Sequence, residues 1–167
     1  MKLYIKQKVF TIRDKFTIKN EDQVDVFTAV GKLISLTKKL TVYDQEGQEV
    51  IFLDQRLWHF LPHIDVYINQ HRAFTVIKKF TFFRQHYVID GMSWHVEGDF
   101  WAHNYQVMDQ TEILAKISKA FFSWGDFYEI DIVDENNAEK VIAIVLAIDI
   151  AMASSKNNAS SSTSNNR

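Results

Sequence analysis

Residues 141–153 read Val-Ile-Ala-Ile-Val-Leu-Ala-Ile-Asp-Ile-Ala-Met-Ala, apolar on every side with one ionisable group, Asp149. Alanine and leucine favour helix, and Ala138, Glu139 and Lys140 lead into the run from a polar cap at Asp134, Glu135, Asn136 and Asn137. A helix on a protein surface shows one apolar stripe; one that is apolar all round lies in a core or in a bilayer. This run is too short, and too marked by Asp149, for a membrane span. The spacing therefore predicts a helix over about residues 138–153, covered by protein on all sides. No transmembrane span is expected.

The rest of the chain supplies the cover. Phe16 to Ile18, Leu40 to Val42, Ile64 to Ile68, Tyr105 to Val107 and Tyr128 to Ile132 alternate apolar with polar residues, as half-buried strands do. The first three begin at positions 16, 40 and 64, a spacing of 24, and Tyr87, Tyr105 and Tyr128 continue the series at varied intervals. After each of several such strands comes a turn and a second strand, at Val26 to Val30, Val50 to Leu53, Ala73 to Ile77 and Ile113 to Ile117. The unit of repetition is a pair of strands.

Residues 5–18 align without gaps on residues 117–130: Ile5 with Ile117, Phe10 with Phe122, Asp14 with Asp126 and Ile18 with Ile130. Leu53 to Val66 follows the same spacing. Repetition on this scale gives about twelve strands. A sheet of that size with one wet face closes on itself, and side chains alone do not fill so wide a barrel. The expected fold is mainly β, a closed barrel of about twelve strands built from repeated hairpins around a central C-terminal hydrophobic α-helix. Residues 1–153 form the barrel and helix. Residues 154–167, rich in Ser and Asn, read as a disordered tail.

Three segments carry a resemblance: Val-Glu-Gly-Asp-Phe-Trp-Ala-His-Asn-Tyr-Gln-Val over residues 96–107, Phe-Phe-Ser-Trp-Gly-Asp-Phe-Tyr-Glu-Ile over 121–130, and Ala-Ile-Val-Leu-Ala-Ile-Asp over 143–149. Together they resemble the LURP-one-related family of the Tubby C-terminal-like superfamily, to which phospholipid scramblases are distantly related. The resemblance implies a twelve-stranded barrel around a central helix. Tubby domains bind phosphoinositides at basic residues and scramblases act on lipids, so it also implies a lipid connection. No Tubby lipid-binding motif is found here, and neither the cysteine-rich nor the calcium-binding segment of scramblases is present.

In a two-strand repeat, equivalent positions fall at the same end of the barrel. Lys8, Lys32 and Arg56 recur at a spacing of 24, and Lys79 and Lys119 occupy matching places. The opposite turns carry Glu21, Asp22, Asp44, Glu46, Glu49, Asp109, Glu112, Asp134 and Glu135. One basic and one acidic rim are expected, although the net charge is only −2. The basic end also collects aromatics, among them Trp58, Phe60, Phe100 and Trp101. Lysine interleaved with amphipathic rings suits an anionic membrane interface. The candidate lipid-binding residues are therefore Lys8, Lys32, Arg56, Lys79, Lys119, Trp58 and Trp101. A plainer explanation is that the rings plug the mouth and the lysines are its solvated edge.

Asp149 is the other candidate, a buried acid placed near the C-terminal end of the expected helix. The reading favours a carboxylate paired or multiply hydrogen-bonded to the barrel wall, in which case Asp149→Asn would cost on the order of 3 kcal/mol. The sharper alternative is an acid whose raised pKa responds to a ligand entering the barrel.

Catalytic signatures are weak. His59 and His63 have a metal-like spacing, but Pro62 intervenes and no glutamate completes the motif. Ser35 to Lys38 matches S-x-x-K without its companion elements. The chain has no cysteine, hence no thiol chemistry. No enzyme activity, metal or cofactor is expected. The function expected is that of a lipid-associated or regulatory barrel, with anionic phospholipid at a membrane surface as its partner. The alternative is a protein-interaction module. Nucleic acid is not an expected partner at this net charge, and a cytoplasmic or membrane-peripheral location fits the charged, alternating N-terminal residues.

Overall fold

The computed structural model describes residues 1–6, 15–34, 37–57, 59–79, 86–122 and 125–161. Twelve strands run in order: β1 (Lys2–Lys6), β2 (Lys15–Lys19), β3 (Asp25–Ile34), β4 (Thr37–Tyr43), β5 (Glu49–Gln55), β6 (His63–Ile68), β7 (His71–Lys79), β8 (His86–Asp90), β9 (Trp94–Asp99), β10 (Asn104–Asp109), β11 (Glu112–Phe122) and β12 (Gly125–Ile132). Each strand pairs antiparallel with the next, and β1 pairs with β12, so the sheet is a closed barrel. A 3₁₀ turn at Glu135–Asn137 leads into helix α1 (Ala138–Ser161).

The repeat is visible in the register. The three segments aligned by sequence begin and end on cross-strand partners, Ile5 with Ile18, Leu53 with Val66 and Ile117 with Ile130. All six are buried. Alternation does the rest: along β6, Ile64, Val66 and Ile68 face the lumen while Asp65 and Tyr67 face outward.

Helix α1 threads the lumen. Val141 through Ile148 are each 0% exposed, so all faces of the helix meet the barrel wall. Asp134 caps the 3₁₀ turn, accepting from the Asn136 backbone N–H at 3.0 Å. The helix does not stop at Ala153 but runs through Ser161, and the tail expected to begin at residue 154 is helical for its first part. Ser154 shows why. Its hydroxyl lies in hydrogen-bond reach of the Ile150 carbonyl at 2.8 Å and of Gln55 Oε1 on β5 at 3.1 Å, so packing continues past Ala153. A helix already nucleated then extends at little further cost per residue. Residues 162–167 lie outside the described part of the chain.

Up-and-down order sorts the connections into two sets. The strand ends that border the β1–β2, β3–β4, β5–β6, β7–β8, β9–β10 and β11–β12 connections lie at one end, here the loop end. The remaining turns lie at the other, where α1 enters. Few of those turns need glycine: Asn69 and Gln70 link β6 to β7 with φ of 49° and 67°, as a two-residue hairpin of the primed type requires. Gly98 is different. A Cβ there would sit 2.5 Å from the Asn104 carbonyl oxygen and 2.6 Å from Tyr105 Cα, and its φ is 133°.

The helix is the filler on which closure depends. Leu146→Ala is expected to destabilise by about 2–5 kcal/mol, and a chain ending before Val141 is expected to show no cooperative thermal transition. Circular dichroism melting of both variants checks this, and a native-like melt of the truncated chain would contradict it. Gly98→Ala should cost at least about 1–3 kcal/mol through overpacking, read in the same melts.

Candidate functional site

The loop end gathers basic and aromatic side chains. Lys32 near the end of β3, Lys79 closing β7 and Lys119 late in β11 are all exposed and all lie toward this end. Lys32 and Lys79 point outward. Lys119 sits across from Tyr128 in the inward phase, so it stands at the lip of the mouth. Trp101, in the β9–β10 connection, is 49% exposed; in the β5–β6 connection Leu57 is 46% and Phe60 93% exposed. Phe100 behaves otherwise. It is buried against Tyr87 and Tyr105, with ring centroids 4.8 and 5.0 Å away, and plugs the barrel. Lys8 and Trp58 lie outside the described residues.

Arg56 is at this end but is committed elsewhere. Its Nε and Nη2 donate to the two carboxylate oxygens of Asp65 at 2.6 and 2.7 Å. Asp65 also accepts from Thr75 at 2.7 Å and Arg72 at 3.2 Å. Burial alone would raise the pKa of Asp65; the hydrogen bonds from Arg56, Thr75 and Arg72 outweigh it and hold the carboxyl below its usual range. Arg56, expected as a rim charge, is thus at the rim but ion-paired. A bidentate pair on a partly buried carboxylate positions strands β5, β6 and β7 and leaves Arg56 little freedom to meet a ligand.

Inside the barrel, just below this mouth, is a polar layer. Tyr87 and Tyr105 are the second residues of β8 and β10, each two before an inward aliphatic residue, Ile89 and Val107; Tyr128 stands likewise two before Ile130 in β12. All three are buried and close enough to Asp149 for its charge to raise their pKa values, although burial is the larger cause. The Tyr128 hydroxyl donates to Asp149 Oδ2 at 2.8 Å. His103, set in the β9–β10 connection with φ of 48°, stacks on Tyr128 with ring planes 3° apart and brings Nδ1 to 4.0 Å from Asp149 Oδ1. The Tyr105 hydroxyl is fully buried and has no hydrogen-bond partner among the described residues.

The position of Asp149 in its helix differs from the sequence reading. It lies at the middle of α1, since the helix continues to Ser161, so the C-terminal dipole does not act on it. Its direct partner is a neutral phenol, that of Tyr128. Burial pushes its pKa up to about 7, and the Tyr128 hydrogen bond only partly opposes this. Sequence reasoning missed Tyr87, Tyr105, Tyr128 and His103, whose only sign in the sequence was the shared phase of the three tyrosines.

Lys38 occupies in β4 the place that Tyr87 and Tyr105 hold in β8 and β10: second residue, inward phase, two before the buried Leu40. It is only 6% exposed, and Nζ is buried without a hydrogen-bond partner among the described residues. Burial alone brings its pKa down to about 8. His59 and His63, by contrast, stack at 4.1 Å near the surface; among the described residues no group of three or more ligand-type side chains could hold a metal. No described helix is long and apolar enough to cross a membrane.

The Asp149 environment fixes a pH response. The unfolded carboxyl titrates near 3.8 and the native one near 7, so its stabilising contribution is full below pH 3.8 and is lost as pH rises to 7. Within that window stability should fall by up to about 1.4 kcal/mol per pH unit. Asp149→Asn keeps an acceptor for Tyr128 and leaves no buried cation stranded, so it should flatten this decline and be more stable than wild type at pH 8. Urea titrations across pH 4–8 check both; a variant destabilised at pH 8 would restore the ion-pair reading.

The LURP-one-related family profile matches residues 1–149. The uncharacterized protein YxjI of Bacillus subtilis (strain 168) is 31% identical over 152 residues, covering 91% of this chain and 94% of that one. The X-ray structure of the Arabidopsis thaliana protein AT5G01750 superposes with a TM-score of 0.58 at 14% identity, over 89% of this chain and 90% of that one, a likeness of fold. With the closed twelve-stranded barrel and its threading helix, these matches make the chain a member of the LURP-one-related family.

Proposed function

We propose that this barrel is a non-enzymatic, lipid-associated domain that docks peripherally on anionic membrane surfaces through its loop end. The observation that carries the reading is Phe60, a large ring 93% exposed, with Leu57 beside it in the same connection and Trp101 on another connection of that end. Exposed apolar residues that would be unfavourable in water become favourable when seated among headgroups and upper acyl chains. Lys32, Lys79 and Lys119 are exposed around them. Each such cation near an anionic leaflet contributes about 1 kcal/mol, screened over a Debye length of about 8 Å at physiological salt. Three lysines and a few rings amount to weak, reversible, salt-sensitive binding. Such a domain would work at a cytoplasmic membrane face.

Co-sedimentation with vesicles tests this. The wild-type chain should pellet with phosphatidylserine-containing vesicles and not with pure phosphatidylcholine. Reversing Lys32, Lys79 and Lys119 to glutamate should abolish pelleting with no change in melting temperature, added salt should mimic the reversal, and Phe60→Ser should weaken binding at every salt concentration. Equal behaviour on neutral and anionic vesicles would sink the proposal. The same exposed residues would then belong to a protein-interaction surface.

A further inference from the structure

Lys38 plays no part in the rim; its ammonium lies inside the barrel with no hydrogen-bond partner among the described residues. Lys38 shares its inward phase with Leu40 and Val42 on β4. The β4–β5 register pairs Leu40 with Leu53 and Lys39 with Asp54, so one further step brings Lys38 alongside Gln55, the last residue of β5. Gln55 also faces inward, since its Oε1 contacts the Ser154 hydroxyl of the central helix. Lys38, Gln55 and Ser154 therefore form a polar corner at the loop-end mouth, while the neighbouring wall of Leu40, Leu53 and Ile64 is apolar. The neighbouring Lys39 points outward and already has a partner, Asp54 at 2.9 Å. The chain immediately after Gln55 carries Leu57 and Phe60, both exposed.

A buried ammonium without a counter-charge is among the most unfavourable arrangements a core can hold, and a single bound anion removes the penalty. We propose that Lys38 anchors a ligand site inside the loop-end mouth for the anionic head of a single-chain amphiphile. Lys38 takes the head, the Gln55 side-chain amide supplies a further hydrogen bond, and the apolar chain lies over Leu57 and Phe60. A small inorganic anion would satisfy Lys38 but leave those two side chains in water, so the occupant carries both a charge and a chain. The site is separate from membrane docking: it needs the buried Lys38, whereas the rim uses the exposed Lys32, Lys79 and Lys119.

The test uses decanoate below its critical micelle concentration, with acetate, inorganic phosphate and decyltrimethylammonium as comparisons, all titrated into the full chain by calorimetry. Decanoate should bind the wild type, the cationic amphiphile should not, and Lys38→Met should weaken decanoate binding roughly tenfold or more, the scale of a hydrogen bond to a charged group. Reductive methylation with ¹³C labelling reads the same site without a substitution. The Lys38 dimethylamine should titrate below the other lysines in the free protein and move up when decanoate is bound. Glutamate at Lys32, Lys79 and Lys119 should leave decanoate binding intact while vesicle docking is lost, which separates a failure of this site from a failure of the rim. Decanoate binding undiminished in Lys38→Met with the Lys38 resonance unmoved would overturn the proposal. So would Lys38-dependent binding of phosphate or acetate as tight as that of decanoate, because the chain would then play no part.

Discussion

A closed antiparallel sheet of twelve strands encloses more volume than its own inward side chains occupy, and everything else in this molecule follows from filling it. The filler must present an apolar surface in every direction, because wall surrounds it on every side. That requirement selects the Val, Ile, Leu and Ala of α1, all without exposure from Val141 to Ile148, and it excludes the stripe of polar residues a surface helix carries. It also sets the terms on which a charge is admitted. Asp149 is tolerated at the one level where the wall offers tyrosines and a histidine, and its partner Tyr128 is neutral, so the acid and its surroundings stay uncharged together until the pH approaches 7.

The second organising fact is the alternation of strand direction. With each strand antiparallel to its neighbour, all connections from odd to even strands meet at one end, whatever their distance in sequence. Lys32, Lys79 and Lys119 come together this way, as do Phe60 and Trp101. Arg56 lies at the same end but is held in an ion pair. It is one residue past the end of β5, in the outward phase, and Asp65 on the adjacent strand holds it in a two-pronged grip with Thr75 and Arg72 behind. Charge alone did not separate a free cation from a committed one.

Most of the architecture was legible in the sequence because it depends on periodicities that the chain repeats. The 24-residue spacing and the alignment of residues 5–18 on 117–130 mark cross-strand pairs directly, and the apolar helix betrays its own burial. The end of α1 was not legible: Ser154 belongs to the helix through a hydrogen bond to Gln55, a contact between residues far apart in the chain that no local propensity reports. The surroundings of Asp149 were hidden for the same reason, since Tyr87, Tyr105 and Tyr128 come from three different strands. Lys38 was half legible. Its phase with Leu40 and Val42 points inward, but the adjacent Lys39 makes the pair look like a solvated basic patch.

The closing strand and the core are the last parts of this fold to be synthesised. β1, made first, finds its partner only in β12, and the sheet it helps to bound stays hollow until α1 follows. During translation the growing sheet therefore has two unpaired edges and an apolar concave face with nothing to cover it, the combination that invites edge-to-edge association. Contacts of such long sequence separation are also slow to form. A protein built in this order is exposed to association while it is being made, before the barrel can close and fill.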